Sequence, residues 1–194
     1  MSLQPAATDT GGFRAALGSF AAGVNVITLR DADGTPLGMT ATAFSSVSAD
    51  PLLVLICVNR SNRSYERIAE TGRFGVNILG TAAREISDHC SRPGSDKTLA
   101  AEWLVDRPEW HSPALTQALA FLDCEVEQDV HAGTHAVLIA RVRGIGLASH
   151  DRAAPAPLIH FRGAYRELVH AVSASRPRTT ELPRVQPPVV KEYA

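Results

Sequence analysis

The sequence has few cysteines, no excess of either charge and no long apolar run, and each absence excludes a class of protein. The three cysteines, Cys57, Cys90 and Cys124, are odd in number and widely spaced, which argues against a disulfide framework or a thiolate metal centre. The 19 basic and 20 acidic residues leave a net charge of −1, so the chain lacks a field that attracts nucleic acid or anionic membranes. No apolar run approaches the roughly 20 residues that a membrane-spanning helix needs.

The composition also predicts how the chain is organised. Residues 1–10 lack the basic and apolar regions of a secretory signal, so we expect a cytoplasmic protein. At 194 residues and 45% hydrophobic, the chain can bury a substantial core, and its length favours one domain. We predict a flexible N-terminus over 1–11, a single domain over 12–170 and an extended proline-rich tail over 171–194.

The hydrophobic pattern predicts mainly β structure. A β-branched run over 24–29 is followed by Asp33-Gly34, a pair typical of hairpin turns, with a returning strand from Pro36. The continuous apolar run over 52–58 predicts a strand buried on both faces at the centre of a sheet. Further strands are expected at 74–79, 119–130, 136–145 and 157–161, and short helices at 13–20, 64–72 and 81–88, the last capped by Thr81. Hairpin connections and short helices favour an antiparallel barrel over a doubly wound parallel sheet.

Small and hydroxyl-bearing residues fill the stretch 38–48 on the returning strand. Small side chains let a ligand approach the backbone, whose N–H and C=O groups can then bind it. The stretch therefore predicts a surface for a flat, phosphorylated cofactor. The irregular segment from Cys90 to Pro113 is long for a compact domain and predicts a functional loop or lid.

A polar cluster over 59–64, Asn-Arg-Ser-Asn-Arg-Ser, stands where the buried strand ends and a helix begins. Free N–H groups and the helix dipole make such a junction favourable for an anion, and Arg and Ser side chains add donors. The alternative is an ordinary solvated loop. The neighbouring hydroxyl-rich strand favours the anion site.

Other familiar motifs are incomplete. The Gly-Ile-Gly stretch at 144–146 lacks the third glycine and the following helix of a dinucleotide fingerprint. The sequence contains neither a Walker phosphate loop nor a G-x-S-x-G nucleophile elbow. His131 and His135 have a four-residue spacing, but Gly133 between them indicates a turn, so we predict no metal site.

Taken in order, several segments resemble the short-chain flavin reductases that serve two-component flavin monooxygenases. The resemblance spans about residues 13–168. It is carried by GMTATAFSSVS at 38–48, Asp50-Pro51, NRS at 59–61, FGVN at 74–77, CEV at 124–126, GTH at 133–135 and PLIHFRGAY at 157–165. It implies an FMN-binding split β-barrel, usually a homodimer, in which NADH or NADPH passes a hydride to FMN or FAD. The reduced flavin then serves a separate oxygenase.

The resemblance also implies roles for individual residues. The flavin ring and ribityl chain would lie along Met39, Thr40, Ala41, Thr42, Ala43, Phe44 and Ser45. The phosphate would be held by Asn59, Arg60, Ser61, Asn62 and Ser64. Lys97 would contact the flavin or the nucleotide, and Tyr165 would border the flavin ring. His135 would position the nicotinamide. The family has Gly-Asp-His where this chain has Gly133-Thr134-His135.

Two alternatives to a flavin reductase stay open at this point. Because the family's aspartate is replaced by Thr134, the barrel could bind flavin or haem without turnover. A related barrel could instead use bound FMN to oxidise a phosphorylated amine, although the sequence shows no basic phosphate pocket beyond the flavin's own.

Overall fold

The computed structural model describes residues 2–149, 156–166 and 168 and is built mainly of antiparallel strands. The strands are β1 (Ala22–Gly23), β2 (Asn25–Arg30), β3 (Pro36–Ala41), β4 (Phe44–Ala49), β5 (Leu52–Asn59), β6 (Arg73–Leu79), β7 (Leu104–Val105), β8 (Ala114–Leu115), β9 (Ala118–Ala132), β10 (His135–Leu147), β11 (Ile159–Phe161) and β12 (Ala164–Arg166). The helices are α1 (Thr10–Gly18), α2 (Arg63–Thr71) and α3 (Arg84–Ser91), with 3₁₀ turns at Thr81–Ala83 and Ala101–Trp103.

Seven strands form one antiparallel sheet in the order β3-β2-β6-β9-β10-β5-β4. Its two edge strands, β3 and β4, follow one another in the chain and are joined only by Thr42 and Ala43. Because two residues span only about 7 Å, the sheet must curl until its edges nearly meet. The Cys57 N–H, from β5, donates to the Ala43 carbonyl at 3.1 Å, which attaches this short connection to the sheet. The predicted antiparallel split barrel is confirmed.

The interior of the curled sheet holds the main hydrophobic core. Five consecutive residues of β2, from Asn25 to Leu29, are buried. Ile27, Ile56, Phe74 and Leu138 are fully buried members of the core. Burying each such side chain contributes about 1.5–3 kcal/mol through removal of apolar surface from water, so the barrel is a rigid frame for the residues at its seam.

A second core cluster lies where α3 covers the outside of the sheet. It includes Val26, Leu79, Ile86 and Leu158, all buried. Apolar side chains from strand β2, strand β6 and helix α3 meet here, so this cluster fixes the position of α3 relative to the end of β3.

Two glycines stand where the sequence predicts a hairpin turn and the end of a helix. Gly34, between β2 and β3, has φ of 86°, and Gly72, after α2, has φ of 67°. In that left-handed conformation the Gly72 N–H donates to the Ile68 carbonyl at 2.8 Å and closes the helix, as a C-terminal glycine does in many helices.

Three local predictions were wrong. Strand β5 lies next to the edge of the sheet, and along it the buried residues Val54, Ile56 and Val58 alternate with half-buried ones. The hydroxyl-rich stretch is two strands instead of one. Thr81 begins a 3₁₀ turn, and α3 starts at Arg84 without a side-chain cap. In β5 buried and half-buried residues alternate, but the sequence does not show this period of two because the outward-facing residues are also apolar.

The predicted domain limits can be compared with the described residues only in part. Helix α1 begins at Thr10, inside the stretch 1–11 predicted to be flexible, and the tail predicted over 171–194 lies outside the described residues. Among the helices that the structure describes, none combines the length and apolar character needed to cross a membrane.

Candidate functional site

A groove of about 800 Å³ opens at the seam of the barrel. One side, which we call the strand wall, consists of residues 39–43 at the end of β3 and residues 57–59 and 61–64 around the start of α2. The other side, the loop wall, consists of residues 92–98 after α3. Most of the predicted site residues line the groove: Met39, Thr40, Ala41, Thr42, Ala43, Asn59, Ser61, Asn62, Ser64, Lys97 and His135.

The two segments of the strand wall are held together by the sheet. Cys57, on β5, bonds to Ala43 as described above, and the Asn62 side-chain amide donates to the Met39 sulfur at 3.8 Å. Ala41 and Ala43 present only methyl groups to the groove. The backbone along 39–43 is therefore open to a flat ring, and the binding of a flavin ring there stays a prediction.

The loop between β5 and α2 has the geometry of an anion site. The Asn59 carboxamide oxygen accepts from both the N–H and the hydroxyl of Ser61, each at 3.0 Å. Asn62 occupies the N-cap of α2 but makes no side-chain capping bond, so it satisfies none of the first-turn N–H groups by that route. Ser64, in the first turn, lines the groove. The positive end of the helix dipole thus lies beside residues 39–43.

Of the two arginines in this loop, Arg63 lines the groove and Arg60 does not. The Arg60 side chain lies near the Tyr65 hydroxyl, where it opposes a rise in the Tyr65 pKa; that rise comes chiefly from the hydrogen bond of Tyr65 to Asp129. Arg63 pairs with Asp31, and its side chain is 70% exposed. Sequence reasoning chose Arg60 and missed Arg63 because the winding of α2, not the motif, decides which side chain faces the groove.

Lys97 anchors the loop wall. Its ammonium group donates to the Cys90 carbonyl at 2.9 Å and to the Arg92 carbonyl, near the end of α3. Its own carbonyl accepts from the Gly38 N–H at 2.9 Å, which attaches the loop to β3. Partial burial lowers the Lys97 pKa. Lys97 therefore supports the groove structurally as well as lining it.

His135 stands at the start of β10, paired with Asn59 on β5. Its Nδ1 lies 2.9 Å from the Thr134 hydroxyl. This contact orients the imidazole and leaves Nε2 for a ligand. His131 instead contacts the Tyr65 hydroxyl at 3.0 Å. Within the described part of the chain, no group of three or more His, Cys, Asp or Glu residues could hold a metal ion.

Three other predicted site residues lie outside the groove. Phe44 packs against the core of the barrel, and the Ser45 hydroxyl donates to the Ser46 carbonyl at 3.1 Å on its own strand. Tyr165 lines a separate cavity of about 530 Å³, which shares Thr40 and Thr42 with the groove. Both Phe44 and Ser45 belong to β4, which leads away from the seam.

The groove also has walls that sequence reasoning missed. Asp31, Asp33 and Thr35, from the β2–β3 turn, line it. The Thr35 N–H and then its hydroxyl hold the Asp33 carboxyl pKa below its usual value. The predicted hairpin turn was a usable signal that these residues lie together. The β2–β3 turn comes close to α2 only because the sheet curls, and no local sequence pattern predicts that curl.

The residues present fit a ligand that joins a flat ring to a phosphate. The cavity volume falls within the roughly 300–1,000 Å³ of small-molecule sites. Small side chains line the groove along residues 39–43. The start of α2, with the exposed Arg63, lies next to this segment. Three acidic residues, Asp31, Asp33 and Asp96, also line the groove, so it suits a ligand with few phosphates better than a highly charged one.

Comparison with known proteins gives a consistent picture. A family model described as flavin reductase like domain matches residues 17–169. The reductase subunit HsaB of a flavin-dependent monooxygenase from Rhodococcus jostii (strain RHA1) is 38% identical over 162 residues, 82% of this chain and 78% of that protein. The reductase component of the flavin-dependent trigonelline monooxygenase from Acinetobacter baylyi (strain ATCC 33305 / BD413 / ADP1) is 36% identical over 165 residues, 85% of this chain and 51% of that protein.

Solved structures agree with these relatives. The flavin reductase PheA2 superposes with a TM-score of 0.73 at 33% identity, covering 84% of this chain and 99% of that one. The NADH:FAD oxidoreductase SgcE6 of Streptomyces globisporus, in complex with NAD and FAD fragments, gives 0.78 at 25% identity, covering 89% and 100%. The chain spans only about half the length of the first curated relatives it matches, 42% and 51%.

Proposed function

Because the chain belongs to the flavin reductase-like family, we propose that it reduces a flavin with a reduced nicotinamide nucleotide and supplies the reduced flavin to a separate monooxygenase. The observation that carries this proposal is the groove, where a strand segment of small residues ends beside an anion-binding helix start. The relatives named as reductase components of monooxygenases support the same reaction.

In this proposal the strand wall binds the flavin. Residues 39–43 hold the ring through their backbone and small side chains. The phosphate is held by Asn59, Ser61, Asn62, Arg63 and Ser64. A bound flavin supplies the redox chemistry by accepting a hydride from the nicotinamide. The protein contributes orientation and exclusion of water, and the hydride transfer itself needs no general base.

His135 is proposed to position the nicotinamide. Thr134 fixes Nδ1, and Nε2 can then bond to the carboxamide of the nucleotide. The Thr134 hydroxyl takes over the orienting role that the aspartate of the family's Gly-Asp-His motif would have.

A homodimer is part of the proposal. Phe13, Leu17 and Phe20 are 63%, 56% and 73% exposed, the first two on α1 and the third just after it. An apolar face of this size is costly to leave in water. A second copy of the chain would cover it, and light scattering of the purified protein would measure the doubled mass.

The choice of nucleotides and the location in the cell remain predictions. StyB of Pseudomonas fluorescens is named an NADH-dependent flavin reductase, and SgcE6 an NADH:FAD oxidoreductase. These names favour NADH as the reductant. Either FAD or FMN is expected as the flavin, because both carry the ring and the first phosphate that the groove is proposed to hold, and the cytoplasm is the expected compartment.

The test is an anaerobic mixture of the purified full chain with NADH or NADPH and FMN or FAD, followed by the flavin absorbance. Rapid bleaching that depends on the protein establishes the reductase and both preferences. Bound flavin that stays oxidised would instead indicate a carrier. Bleaching by a phosphorylated amine without nicotinamide would indicate the amine oxidase.

A further inference from the structure

The β9–β10 hairpin carries His135 at its turn and extends well beyond the neighbouring strand β6. The last pair that the structure describes between β6 and β9 joins Arg73 to Glu125. From Glu125 the hairpin continues to Ala132 and His135, a distance of about 20 Å at the usual rise of a strand. Strand β10 is still held there by β5, through the pair His135 and Asn59. On its β9 side, the position of the turn depends on contacts other than the β6 ladder.

Tyr65 of helix α2 supplies such a contact. Its hydroxyl donates to the Asp129 carboxylate at 2.8 Å and lies 3.0 Å from Nε2 of His131. The bond to Asp129 raises the Tyr65 pKa, so the hydroxyl keeps its proton and acts as the donor. A charged acceptor makes the stronger bond, and the His131 side chain is 51% exposed. Asp129 therefore carries most of the contact, which persists when the His131 imidazole is removed.

Tyr65 is itself fixed within the helix that begins at the anion site. Its N–H donates to the Asn62 carbonyl at 2.9 Å, and its ring packs against the main core. Ser64, the residue before it, lines the groove, whereas Tyr65 does not. On the other leg of the hairpin, the Arg60 N–H donates to the Thr134 carbonyl at 3.0 Å. The hairpin is thus attached to the segment around the start of α2 at two points, one through backbone and one through Tyr65.

We propose that Tyr65 is a positioning residue that acts through Asp129 to hold His135 at a fixed distance from the start of α2. The proposal rests on the proposed function, in which the start of α2 holds the flavin phosphate and His135 the nicotinamide. Hydride transfer requires the reacting atoms to lie roughly 3–3.5 Å apart. A hairpin released from α2 therefore impairs the use of the nicotinamide nucleotide, while the flavin contacts of the strand wall stay in place.

The first test is kinetic and uses the full chain. Tyr65→Phe removes the hydroxyl and keeps the ring, and Asp129→Ala removes the acceptor. Each should raise KM for the nicotinamide nucleotide about three- to fivefold and leave KM for flavin within about twofold. The matched control is Glu127→Ala on the same strand, because the Glu127 side chain is 30% exposed against 31% for Asp129 but pairs with Arg141. Asp129→Asn keeps an oxygen acceptor and should lie closer to the wild type.

A double variant tests whether Tyr65 acts through His135. If it does, Tyr65→Phe combined with His135→Ala should have the nicotinamide KM of His135→Ala alone. Multiplied effects of the two changes would overturn the proposal. So would parallel increases in the nicotinamide and flavin KM values of Tyr65→Phe, or an equal increase in the Glu127→Ala control.

Amide hydrogen exchange without substrates keeps the link testable if flavin reduction fails. Peptides covering 128–136 should exchange faster in Tyr65→Phe and Asp129→Ala than in the wild type and in Glu127→Ala. Unchanged exchange in Tyr65→Phe would overturn the proposal. A wild-type chain that bleaches no flavin, together with the expected change in exchange, would show that the proposed function is wrong and that Tyr65 nevertheless holds the hairpin.

Discussion

The two walls of the groove are built in different ways. The strand wall is continuous with the seven-stranded sheet, so its backbone is held by ladder hydrogen bonds and by the barrel core. The loop wall is attached to β3 through Gly38 to Lys97 and Leu99 to Pro36, both at 2.9 Å, and to α3 through the Lys97 ammonium. The difference indicates a division of labour. The strand wall supplies a surface fixed by the sheet, and the loop wall faces it from a small number of anchors.

The largest expected effect tests how tightly the walls pack where they meet. A Cβ at Gly38 would lie 2.6 Å from the Cys90 sulfur and 2.9 Å from Leu99 Cδ2. Gly38→Val should therefore lower the free energy of unfolding by about 1–3 kcal/mol through overpacking, measured by urea denaturation. The control is Gly23→Val, because a Cβ there meets nothing within 4 Å. Equal losses in both variants would contradict the close approach at Gly38.

The next effect tests the strand wall. Arg63→Ala should weaken FMN binding roughly tenfold, because it removes an exposed charge-assisted donor from the phosphate. Arg60→Ala is the matched control from the same loop and should change the affinity little. Fluorescence titration of FMN measures both. A larger loss of FMN affinity in Arg60→Ala than in Arg63→Ala would instead indicate that Arg60 binds the phosphate.

A smaller effect is expected at the loop wall. Lys97→Met removes both ammonium bonds to the end of α3 and should raise the FMN dissociation constant about three- to tenfold. Amide hydrogen exchange over 92–98 should also become faster. Arg107→Met, at an arginine that does not line the groove, controls for the loss of a cation. Unchanged exchange in Lys97→Met would show that the loop is held by its backbone bonds alone.

His135→Ala tests whether the strand wall also serves the second substrate. Loss of one hydrogen bond should raise KM for the nicotinamide nucleotide about three- to tenfold and KM for flavin much less. His131→Ala, four residues away and bonded to Tyr65, is the control. Equal changes in both KM values would count against a nicotinamide contact.

Cysteine labelling compares the two walls without an amino-acid substitution in either. Burial raises the pKa of Cys90 and of Cys124 to about 12, so at pH 8 about one thiol in 10⁴ is ionised. Iodoacetamide should therefore modify Cys57, which is half-buried and lines the groove, before the other two. FMN should slow the reaction at Cys57. Mass spectrometry gives the order, and early labelling of Cys90 would indicate that the loop wall opens.

The sequence predicted the parts of this architecture that local rules decide. Alternating and β-branched runs gave the strands, and Gly34 and Gly72 marked turns that require positive φ. The strand wall followed from small residues beside a helix start. The loop wall was foreseen only as an irregular lid, because its position depends on how Lys97 caps α3 and docks on Gly38. The choice between Arg60 and Arg63 depends on helix phase and on Asp31, a residue 32 positions away from Arg63.

The most direct test of the account is amide hydrogen exchange of the full chain with and without saturating FMN. We expect protection in peptides covering 39–43 and 57–64 on the strand wall and 92–98 on the loop wall, with little change in α1. Protection of the loop wall should be the larger change, since the sheet already protects much of the strand wall. Protection that falls elsewhere, or that leaves 57–64 unchanged, would contradict the assignment of the flavin to this groove.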